Sequence, residues 1–216
     1  MTIWVHNFLK YSGDIMTLPK RKNNRLKGYD YSSAGAYFLT VCTFNRKCLL
    51  SDIILNTDFL PAEFLKNPPS DYVGAIHESP ECKPEFIYEA AESKLKSYGI
   101  IAEKVIEDAG KKYDVEISDY VIMPNHIHLV VFIDEKRAIR ESPLQKRSLI
   151  SKFVGYMKSS VSKRIHEFSP EKEIWQRGYH DHIIRNDEEY LKIAEYIHTN
   201  PGKWKEDRYF THSPQL

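Results

Sequence analysis

The amino-acid sequence predicts an α+β fold in which helices pack on an antiparallel β-sheet. Short runs of β-branched and aromatic residues alternate with longer stretches of helical periodicity, and the two clearest strands are joined by a three-residue turn. The chain has 216 residues, of which 42% are hydrophobic and 28% charged, and this composition suits one globular domain with an insertion. The predicted order of strand, insertion, helix, strand, strand, helix, strand and helix is that of a ferredoxin-like (RRM-like) sandwich with one extra C-terminal helix.

The first half of the chain is predicted to contain one strand, one insertion and one helix. Residues 36–44 follow Gly35 and alternate incompletely between apolar and polar side chains, which is typical of a strand buried on both faces. Residues 54–88 contain two proline-rich clusters and no sustained period, which indicates an inserted, partly disordered loop. A helix is expected over 93–109, where apolar residues recur at helical spacing and Gly110 is a natural stop.

The second half of the chain is predicted to supply a hairpin, two helices and one more strand. Residues 113–122 and 126–133 have the composition of strands, and the intervening Met123-Pro124-Asn125 has the composition of a turn. An exposed loop is expected over 134–147, an amphipathic helix from 148 to about 168 and a strand over 179–185. A last helix is expected to begin at Asn186, because Glu189 three residues later completes the pattern of a capping box. It is expected to end at Pro201-Gly202.

Two histidines begin the strand at 126–133. His126 and His128 are two residues apart, so their side chains project from the same face of one rigid strand. Such a pair can chelate a metal ion, because histidine is the commonest metal ligand in proteins. The alternative is that both are ordinary hydrogen-bonded histidines, and a third ligand is needed to decide. Because this strand lies centrally in the fold, we expect the pair to face the extra helix or the open side of the sheet.

The last helix carries a candidate for that third ligand. Tyr196 and Asn200 are four residues apart and therefore share one face of the helix, along the edge of its core stripe. A divalent ion held by two imidazoles and an amide oxygen keeps positions open for phosphate oxygens, and a tyrosine hydroxyl can act as the nucleophile of a covalent mechanism. Taken alone, the helix favours the alternative that Tyr196 is a core aromatic residue and Asn200 an ordinary C-terminal cap.

A basic segment precedes the predicted domain core. It contains no acidic residue, and its five cationic residues are Lys20, Arg21, Lys22, Arg25 and Lys27. A phosphate backbone is one natural partner for this basic arm. A solvated, flexible lead-in is an equally good interpretation of its composition. The formal net charge of +1 does not decide between the two.

Cysteine usage and hydropathy limit the classes of protein that the sequence can encode. Its three cysteines are an odd number without metal-type pairing, which favours a reducing cytoplasm over a disulfide framework. No apolar run is long enough to cross a bilayer, and no signal peptide is evident, so we expect no membrane partner.

The expected domain covers residues 20–210. Residues 1–19 form a poorly defined N-terminal extension, and residues 211–216 form a C-terminal tail. Met16 precedes the basic arm, so either Met1 or Met16 is compatible with the true start.

Three ordered motifs resemble one family. They are VIMPNHIHLV at 121–130, WQRGYHDHIIRN at 175–186 and YIHTNP at 196–201. Together they resemble the HUH single-tyrosine transposases, and most closely the branch of REP-associated tyrosine transposases. The similarity runs from about residue 25 to residue 203 and spares the first 19 residues and the insertion, which departs from the family pattern.

The resemblance implies a role for each site residue. His126 and His128 would bind Mg²⁺ or Mn²⁺ together with Asn200, where relatives often have glutamine, and Tyr196 would be the nucleophile. The basic arm would read bases beside a DNA hairpin. The implied activity is nicking and rejoining of single-stranded or hairpin DNA through a 5′-phosphotyrosine, in the cytoplasm and at the nucleoid, by a monomer or a homodimer.

Two alternatives remain open from the sequence. One is a domesticated, non-catalytic protein that binds palindromic DNA on the same scaffold. The other is a structural zinc site built from His126, His128, His180 and His182.

Overall fold

The computed structural model of the chain describes residue 31 and residues 33–56, 90–139 and 147–211. The basic arm, the N-terminal extension and most of the predicted insertion lie outside the described residues. Along the chain the strands are β1 (Gly35–Cys42), β2 (Ser51–Leu55), β3 (Ala91–Leu95), β4 (Glu116–Ile122), β5 (His126–Ile133) and β6 (His180–Ile184). The helices are α1 (Ser97–Tyr113), α2 (Glu135–Ile139), α3 (Leu149–His166) and α4 (Asp187–Thr199), with short 3₁₀ turns at Phe44–Arg46 and Trp204–Glu206.

Four strands form the main sheet in the order β4-β5-β1-β6, and each neighbouring pair is antiparallel. With β2 and β3 set aside, this is the strand order of a ferredoxin-like sandwich, so the predicted fold class is confirmed. The strand that begins with the two histidines, β5, lies in the interior of the sheet between β4 and β1, as predicted. Its bounds, 126–133, are those expected from the sequence.

The two faces of β5 contact different parts of the protein. One face belongs to the main core, which it forms with α1 and α3, and contributes Ile127, Leu129, Val131 and Ile133. The opposite face carries both histidines and, further along, Val130 and Phe132, which pack with Ile197 and Tyr190 of α4. Because side chains alternate along a strand, the same apolar face that secures β5 in the core fixes the histidines toward α4.

The turn between β4 and β5 is fastened to the neighbouring chain. The Met123 N–H donates to the His126 carbonyl at 2.8 Å, which closes the turn. The buried Asn125 donates through Nδ2 to the backbone carbonyls of Arg46 at 3.2 Å and Tyr209 at 2.8 Å. These bonds fix the point at which the histidine pair begins.

The region around the insertion differs from the prediction. Residues 91–95 are a strand that pairs with Ser51–Leu55 in a separate two-stranded sheet, so the predicted helix over 93–109 starts at Ser97 instead. The strand β2 also extends into the first two positions assigned to the insertion, Ile54 and Leu55. Partners so far apart in sequence leave no local signal, which is why a helical period was assigned to part of β3.

Gly110 is not the end of the first helix. The helix α1 continues to Tyr113 and ends at Asp114, which adopts a left-handed conformation with φ of 52°. A Cβ on Gly110 would lie 3.2 Å from Cδ1 of Ile117 and 3.3 Å from the Val115 carbonyl oxygen. Glycine is therefore explained here by the close approach of the following strand rather than by a helix stop.

The remaining elements lie near their expected places. The loop expected over 134–147 contains the short helix α2, and the strand expected over 113–122 begins at Glu116. The side chain of Asn186 caps α4 by accepting from the Glu189 N–H at 2.8 Å. The Glu189 carboxylate accepts from the Arg185 N–H at 2.7 Å, one residue before the position expected for a capping box. Among the described residues, every helix is too short or too polar to span a bilayer.

Candidate active site

The first histidine of β5 is held in one tautomer. His126 is fully buried, and its Nδ1 lies 2.9 Å from Oδ1 of Asn125. The Asn125 amide nitrogen is engaged by two backbone carbonyls, so its oxygen faces the ring and accepts. Nδ1 of His126 must therefore carry the proton, and Nε2 keeps its lone pair. That Nε2 is buried, and among the described residues it has no hydrogen-bond partner.

The second histidine links β1 to α4. His128 is 1% exposed, and its Nδ1 lies 2.9 Å from the Thr40 hydroxyl on the facing strand. Its Nε2 lies 3.2 Å from the hydroxyl of Tyr196. Phe38 stacks on the imidazole with ring centroids 5.1 Å apart. These contacts hold the ring beside that of His126, at a centroid distance of 4.4 Å.

Burial keeps both imidazoles neutral. Burial, with a smaller effect of the nearby Arg208 and Arg46 cations, lowers the pKa of His126 to about 3. Burial and the neighbouring His126 also depress the pKa of His128 well below its ordinary value. Neutral imidazole is the form that coordinates metal ions, so the pair is in its ligating state at neutral pH.

The helix α4 brings Tyr196 and Asn200 to the histidines. Ile197 anchors the helix in the small core on this face of the sheet, and Tyr196 lies at the edge with 37% of its surface exposed. Asn200 is 1% exposed, and its buried Oδ1 has no hydrogen-bond partner in the part of the chain that the structure describes. The candidate nucleophile is thus accessible, while the candidate ligand is enclosed.

Asp207, which the sequence analysis did not single out, lies at the centre of this group. Its Oδ2 accepts from the Tyr196 hydroxyl at 3.0 Å and from Nδ2 of Asn200 at 2.9 Å. The same oxygen lies 3.9 Å from Nε2 of His126, and the Asp207 side chain is 1% exposed. Burial, followed by the charge and hydrogen bond of Asp207, raises the pKa of Tyr196 above its ordinary value.

A weak sequence signal for Asp207 existed. The helix ends just before Pro201-Gly202, and the following segment holds the aromatic residues Trp204, Tyr209 and Phe210. Such a segment can be expected to fold back on the protein, and an acidic residue within it is a candidate for the site. The ring of Tyr209 does pack on His126, at a centroid distance of 4.7 Å.

The group fits a divalent metal ion. His126, His128 and Asp207 each offer a ligand atom, and these atoms lie within 4.8 Å of one another. Two buried atoms with lone pairs, Nε2 of His126 and Oδ1 of Asn200, lack partners in the same place. An unpaired buried polar atom is costly, and a bound cation would satisfy both.

Two arginine side chains flank the site. The guanidinium carbons of Arg46 and Arg208 lie 5.2 and 4.7 Å from the ring centre of Tyr209. Arg46 has a positive φ of 54° and donates through Nη1 to the Arg208 carbonyl at 2.8 Å. The sequence offered no specific signal for this pair, because it depends on the packing of residues far apart in the chain.

The histidines of β6 do not join the pair. His180 and His182 lie on the same face of the sheet, but β1 separates them from β5. His182 is bonded through Nε2 to Glu189 of α4 at 2.7 Å. Within the part of the chain that the structure describes, the compact group of metal-ligating side chains contains neither residue. The four-histidine zinc site is therefore not formed.

Comparisons with known proteins add a family context. Residues 95–200 match the family model described as "Transposase IS200 like". A Haemophilus influenzae protein described as uncharacterized is 30% identical over 201 residues, which cover 88% of this chain and 93% of the relative. Another protein of that organism, described as "Putative REP-associated tyrosine transposase", is 27% identical over 104 residues, which cover 42% of this chain and 52% of the relative.

A solved structure is also similar. It is described as a REP-associated tyrosine transposase bound to a REP hairpin, and it has a TM-score of 0.48 at 17% identity, covering 83% of this chain and 73% of that chain. The family match includes both histidines of β5 and the pair on α4 but ends at Asn200, before Asp207.

Proposed function

Since this chain belongs to the IS200-like transposase family, we propose that it nicks and rejoins single-stranded DNA at hairpin sequences through a 5′-phosphotyrosine intermediate. The family supports a role in DNA transposition, and the proposal adds the chemistry. One observation carries it: the Tyr196 hydroxyl lies 3.2 Å from Nε2 of His128, beside two buried ligand atoms that lack hydrogen-bond partners among the described residues. A nucleophile and an electropositive site for a phosphate would thus adjoin each other.

The proposed metal site uses the residues predicted from the sequence. His126 would contribute Nε2, His128 would contribute Nε2 in place of its hydrogen bond to the Tyr196 hydroxyl, and Asn200 would contribute Oδ1. When bound, Mg²⁺ or Mn²⁺ would polarise the phosphate and offset the charge that develops in the transition state. The amide oxygen of Asn200 is the kind of ligand that suits these ions.

The side chains around Tyr196 support its role as the nucleophile. Its oxygen would form a bond to phosphorus as the bond from phosphorus to the 3′-oxygen breaks, which leaves a 3′-hydroxyl and a protein-linked 5′ end. The bond to Asp207 Oδ2 at 3.0 Å gives the phenolic proton an acceptor. Attack by a 3′-hydroxyl on the phosphotyrosine would later rejoin DNA without ATP, because the linkage conserves the energy of the phosphodiester.

The DNA partner is proposed on charge and family. The basic arm offers five cations near the start of the chain, and Arg46 and Arg208 flank the site. A relative that matches part of this chain is described as a REP-associated tyrosine transposase. We propose hairpin DNA as the substrate and the nucleoid as the place of action.

The central test is covalent attachment of DNA to Tyr196. A labelled single-stranded hairpin with flanking sequence is incubated with the protein and Mg²⁺ and then resolved on a denaturing gel. We expect Tyr196→Phe to lower adduct formation on the order of 1,000-fold or more, because it removes the attacking oxygen but keeps the ring. His126→Ala should also lose cleavage, and excess Mn²⁺ should restore part of it.

The matched control is Tyr190→Phe. Tyr190 lies on the same helix and also donates to a carboxylate, Asp119 Oδ2, at 2.8 Å, but its ring packs on Phe132, at the opposite end of β5 from the histidines. That variant should form the adduct at the normal rate. An adduct that persists in Tyr196→Phe would show that the assignment is wrong. If the unaltered protein binds hairpins from its own genome but forms no adduct on any of them, the non-catalytic function replaces this one.

A further inference from the structure

Asp207 enters the proposed metal site from outside the elements that carry the other ligands. The histidines belong to β5 and Asn200 to the end of α4, whereas Asp207 follows the 3₁₀ turn at Trp204–Glu206. Glu206, the residue before Asp207, is exposed. The side chain of Asp207 itself is only 1% exposed, so its carboxylate is buried. A carboxylate buried to this degree requires a compensating cation or several hydrogen bonds.

We propose that Asp207 is a ligand of the divalent ion, so that this chain binds it through two histidines, one amide oxygen and one carboxylate. The proposal rests on the metal site of the proposed function and adds to it a residue beyond the family match, which ends at Asn200. Asp207 Oδ2 lies 3.9 Å from the unpartnered Nε2 of His126, and the ligand atoms of Asp207 and both histidines lie within 4.8 Å of one another.

The hydrogen bonds of Asp207 leave capacity for an ion. A carboxylate has about four lone-pair positions. Three are used: Oδ2 accepts from Tyr196 and Asn200, and Oδ1 accepts from the Tyr209 N–H at 2.6 Å. Among the described residues, the remaining position lies on Oδ1, on a carboxylate already held in place by these donors. An ion can therefore bind Oδ1 with all three hydrogen bonds kept, or bind Oδ2 in place of the bond from Tyr196 or Asn200.

Charge also favours a carboxylate at this place. The other three ligands, His126, His128 and Asn200, are neutral groups in a buried site. A divalent cation among neutral ligands alone would lose its hydration without gaining an opposite charge. A carboxylate supplies that charge, and it also shifts the preference of the site toward Mg²⁺ and Mn²⁺.

A competing role for Asp207 is to position Tyr196 and Asn200 without touching the ion. Asp207→Asn keeps an acceptor oxygen but removes the charge. We expect it to weaken binding of Mn²⁺, measured by calorimetry on the full chain without DNA, by at least about tenfold. Glu206→Gln, which removes the same charge one residue earlier at an exposed position, should change the affinity less than twofold.

A second variant separates ligation from positioning, since loss of a positioning group can weaken a metal site by a similar factor. Asp207→Cys replaces the hard oxygen with a soft thiolate, so the site should bind Cd²⁺ with a new thiolate-to-metal charge-transfer band in the ultraviolet. The unaltered protein, with its native cysteines, provides the baseline. The band should disappear when His126→Ala is added, because the ion would then lose a shared ligand.

The outcomes decide the proposal independently of catalysis. Weak Mn²⁺ binding in Asp207→Asn together with the Cd²⁺ band in Asp207→Cys supports ligation. Unchanged Mn²⁺ affinity in Asp207→Asn overturns it, as does absence of the Cd²⁺ band, which would leave Asp207 a positioning residue. Absence of Mn²⁺ binding by the unaltered protein overturns it as well. Because no DNA is present, none of these results depends on whether Tyr196 forms an adduct.

Discussion

The bond between His126 Nδ1 and Asn125 Oδ1 explains why the asparagine of the turn matters to the site. Asn125 ties the turn to Arg46 and Tyr209 through its amide nitrogen and sets the tautomer of His126 through its oxygen. Asn125 thus contributes both to the packing of the turn and to the orientation of a candidate metal ligand. A metal-ligating imidazole commonly donates its second nitrogen to such an acceptor, which fixes its orientation.

The buried histidine predicts how stability depends on pH. An unfolded chain protonates histidine with a pKa of about 6.5, whereas burial lowers the pKa of His126 in the folded protein to about 3. The unfolded state therefore binds more protons between these values, and the contribution of neutral His126 is fully present above pH 6.5 and lost progressively as pH falls toward 3. Between these two pKa values, each such histidine lowers the free energy of unfolding by about 1.4 kcal/mol for every pH unit of acidification.

Urea denaturation at several pH values, with metal removed by a chelator, measures this slope. His126→Gln should flatten the decline below pH 6.5 by about the contribution of one histidine. His166→Gln, at an exposed histidine of α3, should keep the steep decline of the unaltered protein. Parallel profiles for the unaltered protein and His126→Gln would show that His126 is not buried in its neutral form.

Residue-level prediction from the sequence succeeded where spacing alone fixes geometry. His126 and His128 share a face because β-strands alternate, and Tyr196 and Asn200 share a face because helices repeat. Asp207 could not be found this way, because its place depends on the return of the chain after Pro201. Whether these side chains perform the proposed chemistry stays a prediction.

At the scale of elements, prediction succeeded where the signal is local. The strand β5 follows a turn sequence and matches its expected bounds. The helix α3 begins at Leu149, one residue after its expected start, and the Ser148 hydroxyl caps it by accepting from the Ser151 N–H at 3.3 Å. The strand β3 was missed because its partner β2 lies on the far side of the insertion. Pairing over such a separation depends on loop closure, which leaves no periodicity in the sequence.

The junction between β2 and α1 predicts an unusual sensitivity at Gly99. A Cβ at this position would lie 2.2 Å from the carbonyl oxygen of Leu50, a backbone atom that also accepts from the Lys96 N–H at 2.8 Å. Gly99→Ala must therefore displace the start of α1 or the chain before β2. We expect it to lower the free energy of unfolding by about 1–3 kcal/mol, the usual range for overpacking.

Gly155→Ala is the matched control for Gly99→Ala. Gly155 lies in the interior of α3, and a Cβ there would meet no atom within 4 Å. Alanine should raise the free energy of unfolding by about 0.5–1 kcal/mol, because glycine weakens helix interiors. Thermal or urea denaturation of both variants measures the difference. Equal effects of the two substitutions would contradict the close approach at Gly99.

At the scale of the whole molecule, the sheet separates stability from chemistry. Helices α1 and α3 cover one face with the main core, whereas α4 covers the other face with a smaller core beside the histidines. The large core holds β5 in register, and α4 can place Tyr196 at an exposed edge without weakening that core. Because most of the stabilising apolar contact lies on the other face, the face covered by α4 can carry buried polar groups while the protein stays folded.

The division also makes a prediction about DNA binding, because only one side of the molecule carries the site. Replacing Arg21, Lys22 and Arg25 by alanine should weaken hairpin binding and flatten its dependence on salt. Loss of three phosphate contacts would reduce the slope of log K against log salt by about 2–3. The measurement is fluorescence anisotropy of a labelled hairpin at several salt concentrations.

The control for the basic arm removes the same charge from the helices that cover the face of the sheet opposite the histidines. Lys104 and Lys111 of α1 and Lys163 of α3 are exposed on the helices that cover the main core, away from the histidines. Replacing these three by alanine changes the net charge equally, so a purely global electrostatic effect would weaken binding in both variants. If the arm contacts the DNA backbone, only the variant in the arm should show a smaller slope of log K against log salt. Equal losses would show that the arm acts through net charge alone, and unchanged binding at every salt concentration would remove it from the interface.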